Sequence, residues 1–268
     1  MRFLFPLGIL LSLGGMAGLW HYAPAVPGTF AALSAVAGQP LPAVAAESAA
    51  QLPRLPPTAL LYAIGAALIC LALRKLGTAR TLTPAGKLAI VLGGAATLAG
   101  AVVTFAVWWQ VQAGFRTVAL SEVAPRMDEL AAAVVGWRRD LPRGFALAMV
   151  GQLAMLAACL PSFQSPCDPI RRPGRELALP ACALLAIGGF AVSWLLACHS
   201  ASAVFEALAD PAPPQPALLA ANLGTVIRYG LIGGLCLGMI GATQVLGALA
   251  LPGKKSRVGA TAVSAVRS

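Results

Sequence analysis

The chain has 268 residues, of which 59% are hydrophobic and only 10% are charged, and it carries a formal net charge of +10 and a mean hydropathy of +0.81. A soluble domain carries roughly 25% charged residues, so this composition excludes an ordinary water-soluble globular protein. The aromatic share of 6% and the lack of alternating strand patterns argue against a transmembrane barrel. The sequence therefore predicts an all-α, polytopic membrane protein.

Six apolar stretches are long enough to cross a bilayer, which takes about 20 residues in a helix. In chain order they are 3–22, 57–73, 88–109, 144–161, 177–199 and 218–251. The first stretch could instead be a signal peptide, because Arg2 precedes the apolar run and Ala23-Pro24-Ala25 supplies small residues for cleavage. Its length and its part in the repeat described below favour retention as a crossing helix.

Basic residues concentrate on one side of the predicted topology. With a cytoplasmic N-terminus, the inner side carries twelve basic residues and two acids, and the outer side carries seven of each. The inner basic residues are Arg2, Arg74, Lys75, Arg80, Lys87, Arg171, Arg172, Arg175, Lys254, Lys255, Arg257 and Arg267. This bias follows the positive-inside rule. Topology and contact with anionic lipid therefore explain the basic charge, and a nucleic-acid partner is not needed to explain it. We expect a multi-pass protein of a bacterial inner membrane with both termini in the cytoplasm.

Three copies of one two-helix unit can be read along the chain. GFALAMVGQ at 144–152 and GLCLGMIGA at 234–242 share glycine, leucine, methionine and glycine at the same spacing, ninety residues apart. Phe115 and Phe205 keep that offset, and Phe30 marks a fainter first copy. Shared composition of apolar helices is the alternative explanation. The predicted units are hairpins at 1–76, 77–165 and 166–252, followed by a basic cytoplasmic tail at 253–268.

Alanine-rich segments precede each returning helix. They are LPAVAAESAAQL at 41–52, MDELAAAVVGW at 127–137 and QPALLAANLGTVI at 215–227. Alanine is the best intrinsic helix former, and prolines stand near the start of each segment, where helices often begin. We therefore expect short external helices that lead into the returning spans.

Small residues at helical spacing predict close helix packing, because helices in lipid associate through small-residue faces. Four glycines of the last span lie at spacings of four, four and three, and two more belong to the repeated helix of the second hairpin. The six are Gly230, Gly234, Gly238, Gly241, Gly144 and Gly151. We expect them to contact another helix, either within the chain or in a neighbouring subunit.

Polar and ionisable residues within the spans are few. All nine acids lie outside the proposed hydrocarbon cores, and the chain contains no HExxH motif, no phosphate loop and no CxxC pair. We therefore expect no enzyme activity, no cofactor and no metal. The residues that could line an ion path, or join helices by hydrogen bonds, are Arg228, Thr225, Gln152, Ser193 and Thr104.

The last hairpin carries FEALAD at 205–210 and ALLAAN at 217–222, and the glycines of the returning helix follow. In the order of these motifs, the hairpin resembles the terminal hairpin of the MotA/TolQ/ExbB proton-channel family. The chain departs from the family at Thr225, which stands where an acidic residue is expected, and in its short inner loops. The resemblance implies a homo-oligomer, or a hetero-complex around a partner's helices, that couples ion flow down the proton-motive force to mechanical work.

Two other functions fit the same residues. One is a small-solute transporter built from three two-helix repeats, an arrangement shared by the mitochondrial carriers. Their repeated PxDxxK-type signature is missing here, since the nearest stretch, PCDPIRRPGRE at 166–176, occurs once. A transporter also needs a polar site near the middle of the membrane. The other is an accessory membrane protein that transports nothing.

Overall fold

The computed structural model describes residues 4–36, 41–77, 84–120, 127–159, 178–212 and 214–250, and the regular elements in these ranges are all helical. The helices are α1 (Leu4–Tyr22), α2 (Ala25–Gly28), α3 (Leu33–Val36), α4 (Ala43–Gln51), α5 (Leu55–Gly77), α6 (Pro84–Leu120), α7 (Met127–Cys159), α8 (Ala178–Ala209) and α9 (Pro216–Ala250). Two 3₁₀ turns, Thr29–Ala32 and Leu52–Arg54, join the short elements.

Within the described residues, five stretches are long and apolar enough to cross a membrane. They are Pro6–Val36, Ala43–Cys70, Gly86–Arg116, Ala181–Ala209 and Pro216–Leu249. The predicted all-helical, multi-pass membrane protein is therefore confirmed. The sixth expected crossing, 144–161, begins within α7, whose preceding residues include Arg138, Arg139 and Asp140. The end of that range lies outside the described residues.

The six long helices pack as a closed ring. In order around the ring they are α1, α5, α8, α9, α6 and α7, and α7 packs in turn against α1. Taken two at a time from the N-terminus, the long helices therefore form the neighbouring antiparallel pairs α1/α5, α6/α7 and α8/α9. This order places α7 directly across the ring from α8.

Glycines set the close approach between neighbouring helices. Gly15 of α1 lies against the backbone of Tyr62 in α5, and Gly65 of α5 lies against the backbone of Ser12 in α1. Gly144 of α7 similarly faces a backbone carbonyl of α6, that of Gly100. A Cβ atom at any of these glycines would overlap the facing helix, so only glycine permits this approach.

The three alanine-rich segments do not all form separate helices. A 3₁₀ turn separates α4 from α5, but 127–137 and 215–227 are continuous with α7 and α9, and Pro142 lies inside α7 without ending it. The expectation of a short external helix is therefore wrong for these two segments. The reason is tertiary packing, which supplies most helix stability in proteins. The 37-residue α6 is about 55 Å long, so α7 has a partner over its whole length.

The chain between α1 and α5 folds inward over one end of the ring. Residues 23–32, here called the plug, are buried without interruption. The ring of Phe30 packs edge-on against Phe115 of α6 and Trp137 of α7, with ring centroids 5.8 and 6.3 Å apart. Helix α4 covers the plug, with Ser48 in contact with Gly28. Two of the three phenylalanines of the proposed repeat therefore meet beneath α4.

Candidate functional site

Large aromatic side chains fill the interior of the ring at one level. This aromatic layer consists of Tyr62 from α5, Phe145 from α7, and Phe190 and Trp194 from α8, each at most 1% exposed. Ring centroids lie 5.2 Å apart for Tyr62 and Phe190 and 5.4 Å apart for Phe145 and Trp194. Because α7 and α8 lie on opposite sides of the ring, the Phe145 contact crosses its centre. The layer therefore closes the interior at this level.

A buried hydrogen bond joins α1 to α7 inside the bundle. Ser12 Oγ donates to Gln152 Oε1 at 2.8 Å, and the two residues are 2% and 6% exposed. Ser12 is held at this position because Gly65 of α5 packs directly on its backbone. Gln152 was predicted to line an ion path or to join helices by a hydrogen bond. In the structure it is buried inside the bundle and bonds to a residue of another helix.

Other buried polar atoms near the layer have no hydrogen-bond partner among the described residues. They are Tyr62 Oη, Trp194 Nε1 and Trp108 Nε1, on α5, α8 and α6. All three groups carry a hydrogen that can be donated. A buried donor without an acceptor loses its hydrogen bonds to water and forms none within the protein, so the hydrogen bonding of these three groups needs an explanation.

Two of the predicted polar residues form side-chain hydrogen bonds to the backbone of their own helices. Ser193 Oγ donates to the carbonyl oxygen of Gly189 at 2.6 Å, and Thr104 Oγ1 donates to that of Gly100 at 2.9 Å. Both side chains are buried. Their hydroxyls are therefore occupied by backbone acceptors, and the structure does not link either of them to Gln152.

The remaining two predicted polar residues lie on α9. Arg228 is exposed, and Thr225 Oγ1 donates to the carbonyl oxygen of Ala221 at 2.8 Å. Gly230, only two residues further along, is buried. Since successive residues of a helix point about 100° apart, Arg228 and Gly230 face nearly opposite directions. The five polar candidates are therefore not brought together in one path.

The six predicted packing glycines all face helices of the same chain. On α9, Gly230 lies under the indole of Trp108, and Gly234, Gly238 and Gly241 follow along α6 against Phe105, Ala101 and Leu98. On α7, Gly144 and Gly151 face Thr104 and Thr97 of α6. Helix α6 therefore receives the glycine faces of both neighbours, and these faces are occupied within the chain.

Two residues of the interior, Ser12 and Tyr62, were not predicted from the sequence. Ser12 lies between Gly8 and Gly15 at spacings of four and three, a small-residue pattern that could have identified the face of α1 that packs in the bundle. Tyr62 had no such signal, because an aromatic residue in an apolar helix is typical of any buried face. Its position opposite Gln152 depends on how α5 and α7 are placed around the ring.

The chemistry available at this site is hydrogen bonding by neutral groups. The buried serine, threonine and glutamine side chains of the described residues supply hydroxyls and one amide, and the buried tryptophans add indole N–H groups. The first set includes Ser12, Thr97, Thr104, Ser193 and Gln152. Within the described ranges, no three residues among His, Cys, Asp and Glu come together as a metal-binding group would require. Comparisons with protein-family models, curated proteins and solved structures find no match to this chain.

Proposed function

We propose that this chain is a non-enzymatic membrane scaffold or channel-like subunit, similar to MotA/TolQ/ExbB proteins, that acts by helix packing with partner subunits. The aromatic layer is the observation that carries this proposal. Phe145 of α7 contacts Phe190 and Trp194 of α8 across the ring, with centroids 6.5 and 5.4 Å apart. A bundle filled at this level offers no open aqueous path through its own centre. Any coupling to the proton-motive force then involves the boundary between subunits.

The outward faces of the ring supply the surface for a partner. Because the glycine faces of α7 and α9 are occupied by α6, association must use other side chains. The exposed apolar residues of α9 include Leu235, Met239, Leu246 and Leu249, each at least 50% exposed. We propose that a homo-oligomer or hetero-complex forms through such a face.

The proposal also includes the number of membrane crossings and their orientation. We propose six crossings arranged as three repeated hairpins, with both termini on the cytoplasmic side of a bacterial inner membrane. The ring order supports this arrangement, because each of the pairs α1/α5, α6/α7 and α8/α9 occupies one third of the ring. The concentration of basic residues on one predicted side supports the orientation.

Proton and cation flux into liposomes that contain the purified protein tests the proposal. We expect tight liposomes with the unaltered chain, because the aromatic layer is closed. Flux through the unaltered chain that is changed by Gln152→Leu or Arg228→Ala would refute the scaffold function. Val150→Ala is the matched control, because Val150 lies on the same helix as Gln152 and is 55% exposed.

Photo-cross-linking in native membranes tests the partner face. A cross-linker at Met239, which is 50% exposed, should give a protein adduct of one defined mass. The same group at Leu237, which is buried against the bundle at 0% exposure, should give none. If the exposed positions of α9 yield only lipid adducts, helix packing through this face is wrong.

A small-solute transporter is the second candidate, and the Ser12–Gln152 hydrogen bond favours it. This bond places polar atoms of two helices inside the ring. Transporters that are built from internal repeats bind their substrate in such a position, at the interface between the repeats. Uptake of a neutral solute that is lost in Gln152→Leu and kept in Val150→Ala would favour this function over the scaffold.

A further inference from the structure

Close glycine contacts occur in four of the six helix pairs around the ring. The contributing glycines include Gly15 and Gly65 in α1/α5, Gly144 and Gly151 in α6/α7, Gly230 and Gly241 in α6/α9, and Gly189 and Gly233 in α8/α9. Among the described residues, no glycine makes its closest approach across α1/α7 or α5/α8. These two contacts, here called the seams, are also the least extensive in the ring.

The helices on one side of the seams form a closed unit of their own. In the ring, α7, α6, α9 and α8 follow one another as neighbours. Phe145 of α7 contacts Phe190 and Trp194 of α8, with centroids 6.5 and 5.4 Å apart, and so joins the two ends of this row. Helices α6–α9, here called the four-helix unit, therefore enclose their aromatic centre without α1 or α5. The hairpin of α1 and α5 lies against the side of this unit.

Few specific contacts cross the seams. The ring of Tyr62 packs on that of Phe190 in α5/α8, and Ser12 donates its hydrogen bond to Gln152 in α1/α7. From these residues towards Leu4 of α1, here called the far end, no other hydrogen bond, ion pair or ring contact of the described residues crosses a seam. In lipid, helices associate through close packing and interhelical hydrogen bonds, so the seams are the weakest contacts of the bundle at this end.

The opposite end of the hairpin is anchored to the four-helix unit. The plug follows α1 in the chain and is buried without interruption, and its Phe30 packs against Phe115 of α6 and Trp137 of α7. Helix α4 leads towards α5, and its Glu47 Oε2 lies 2.8 Å from Arg138 Nη2 of α7. The connection between α1 and α5 therefore holds the two bodies together at the plug.

We propose that the α1/α5 hairpin tilts as one body against the four-helix unit, with the plug as its pivot. The tilt opens both seams at the far end, breaks the Ser12–Gln152 hydrogen bond and gives the aqueous side at that end access to these two side chains. The contacts of Phe145 stay in place, because Phe145, Phe190 and Trp194 all belong to the four-helix unit. Movement of one packed body about a hinge is a common form of conformational change in proteins. This motion does not depend on the function proposed above.

Distances between pairs of spin labels, measured by electron paramagnetic resonance on the full chain in lipid nanodiscs, test the tilt. Labels carried by unnatural amino acids leave the six native cysteines in place. Leu10 of α1 with Leu185 of α8 reports on the far end, and Trp20 of α1 with His199 of α8 reports on the plug end. Leu92 of α6 with Leu185 is the matched control, because one helix of the ring separates α6 from α8, as one separates α1 from α8. All five positions are exposed.

The expected displacement follows from the length of α1. Leu10 lies about 18 Å along the helix from Tyr22, at about 1.5 Å per residue, so a tilt of about 20° moves it by about 6 Å. We expect two distances for Leu10–Leu185 that differ by about this amount, and a single narrow distance for each of the other pairs. Gln152→Leu should raise the ratio of the longer to the shorter distance about threefold, as expected for the loss of one interhelical hydrogen bond in a membrane. Val150→Ala, an exposed position on the same helix, should not change this ratio.

Three results would overturn the proposal. A single narrow distance for Leu10–Leu185 in the unaltered chain would show that the hairpin does not tilt. Two distances for Trp20–His199 would show that the plug is not the pivot. Two distances for Leu92–Leu185 would show that the four-helix unit does not move as one body.

Discussion

Replacing Gly230 by alanine should separate α9 from α6. A Cβ atom at Gly230 would overlap the indole of Trp108, which is fully buried. Gly224 lies on the same helix, and a Cβ atom there would meet no heavy atom within 4 Å. The two substitutions are therefore identical in chemistry and differ in what the added methyl group touches.

The size of the effect follows from the difference between these two variants. Alanine in place of glycine favours a helix by about 1 kcal/mol, and this contribution cancels because both sites lie within α9. Overpacking a closely packed contact costs about 1–3 kcal/mol. The free energy of unfolding of Gly230→Ala should therefore be lower than that of Gly224→Ala by about 1–3 kcal/mol, which is about 5- to 150-fold in the unfolding equilibrium constant.

Unfolding by SDS in bicelles, measured for both variants and for the unaltered chain, provides the assay. A second substitution, Trp108→Leu, should reduce the gap between Gly230→Ala and Gly224→Ala, because the smaller side chain makes room for the new methyl group. Equal stability of the two glycine variants would show that Trp108 does not pack on Gly230 in the membrane, and the tight α6/α9 contact would then be wrong.

Three further substitutions test other parts of the bundle by the same unfolding measurement. Phe145→Ala should lower the free energy of unfolding by about 3–5 kcal/mol, because it leaves a cavity in the centre of the ring, and a loss below about 1 kcal/mol would contradict the closed layer. Ser12→Ala should cost about 1–3 kcal/mol, since it leaves the buried Gln152 oxygen without its donor, and an unchanged stability would mean that this oxygen has another donor. Arg138 Nη2 lies 2.8 Å from Glu47 Oε2, but these side chains are 20% and 53% exposed, so Glu47→Gln should cost about 1 kcal/mol or less. That cost should disappear at about 1 M salt, where the Debye length is about 3 Å, and a cost independent of salt would exclude an ion pair that holds α4 over the plug.

The sequence determined the helical, membrane-embedded class of this protein because hydrophobic length is a local property. A run of about 20 apolar residues needs a helix in lipid whatever surrounds it. The glycine spacing on α9 was equally local, since residues three or four apart share a helix face. Gly230 and Gly234 could therefore be identified as packing positions, whereas Arg228 could not be assigned to a face until that face had a partner.

Only the tertiary structure decided which helices meet. Ser12 and Gln152 are 140 positions apart in the chain, and nothing local distinguishes their pairing from many others among similar apolar helices. The burial of the plug was equally unpredictable, because its burial depends on the space between α6 and α7 that receives Phe30. Close packing selects one arrangement by the summed fit of many small contacts, and that sum exists only once the six long helices are placed around the ring.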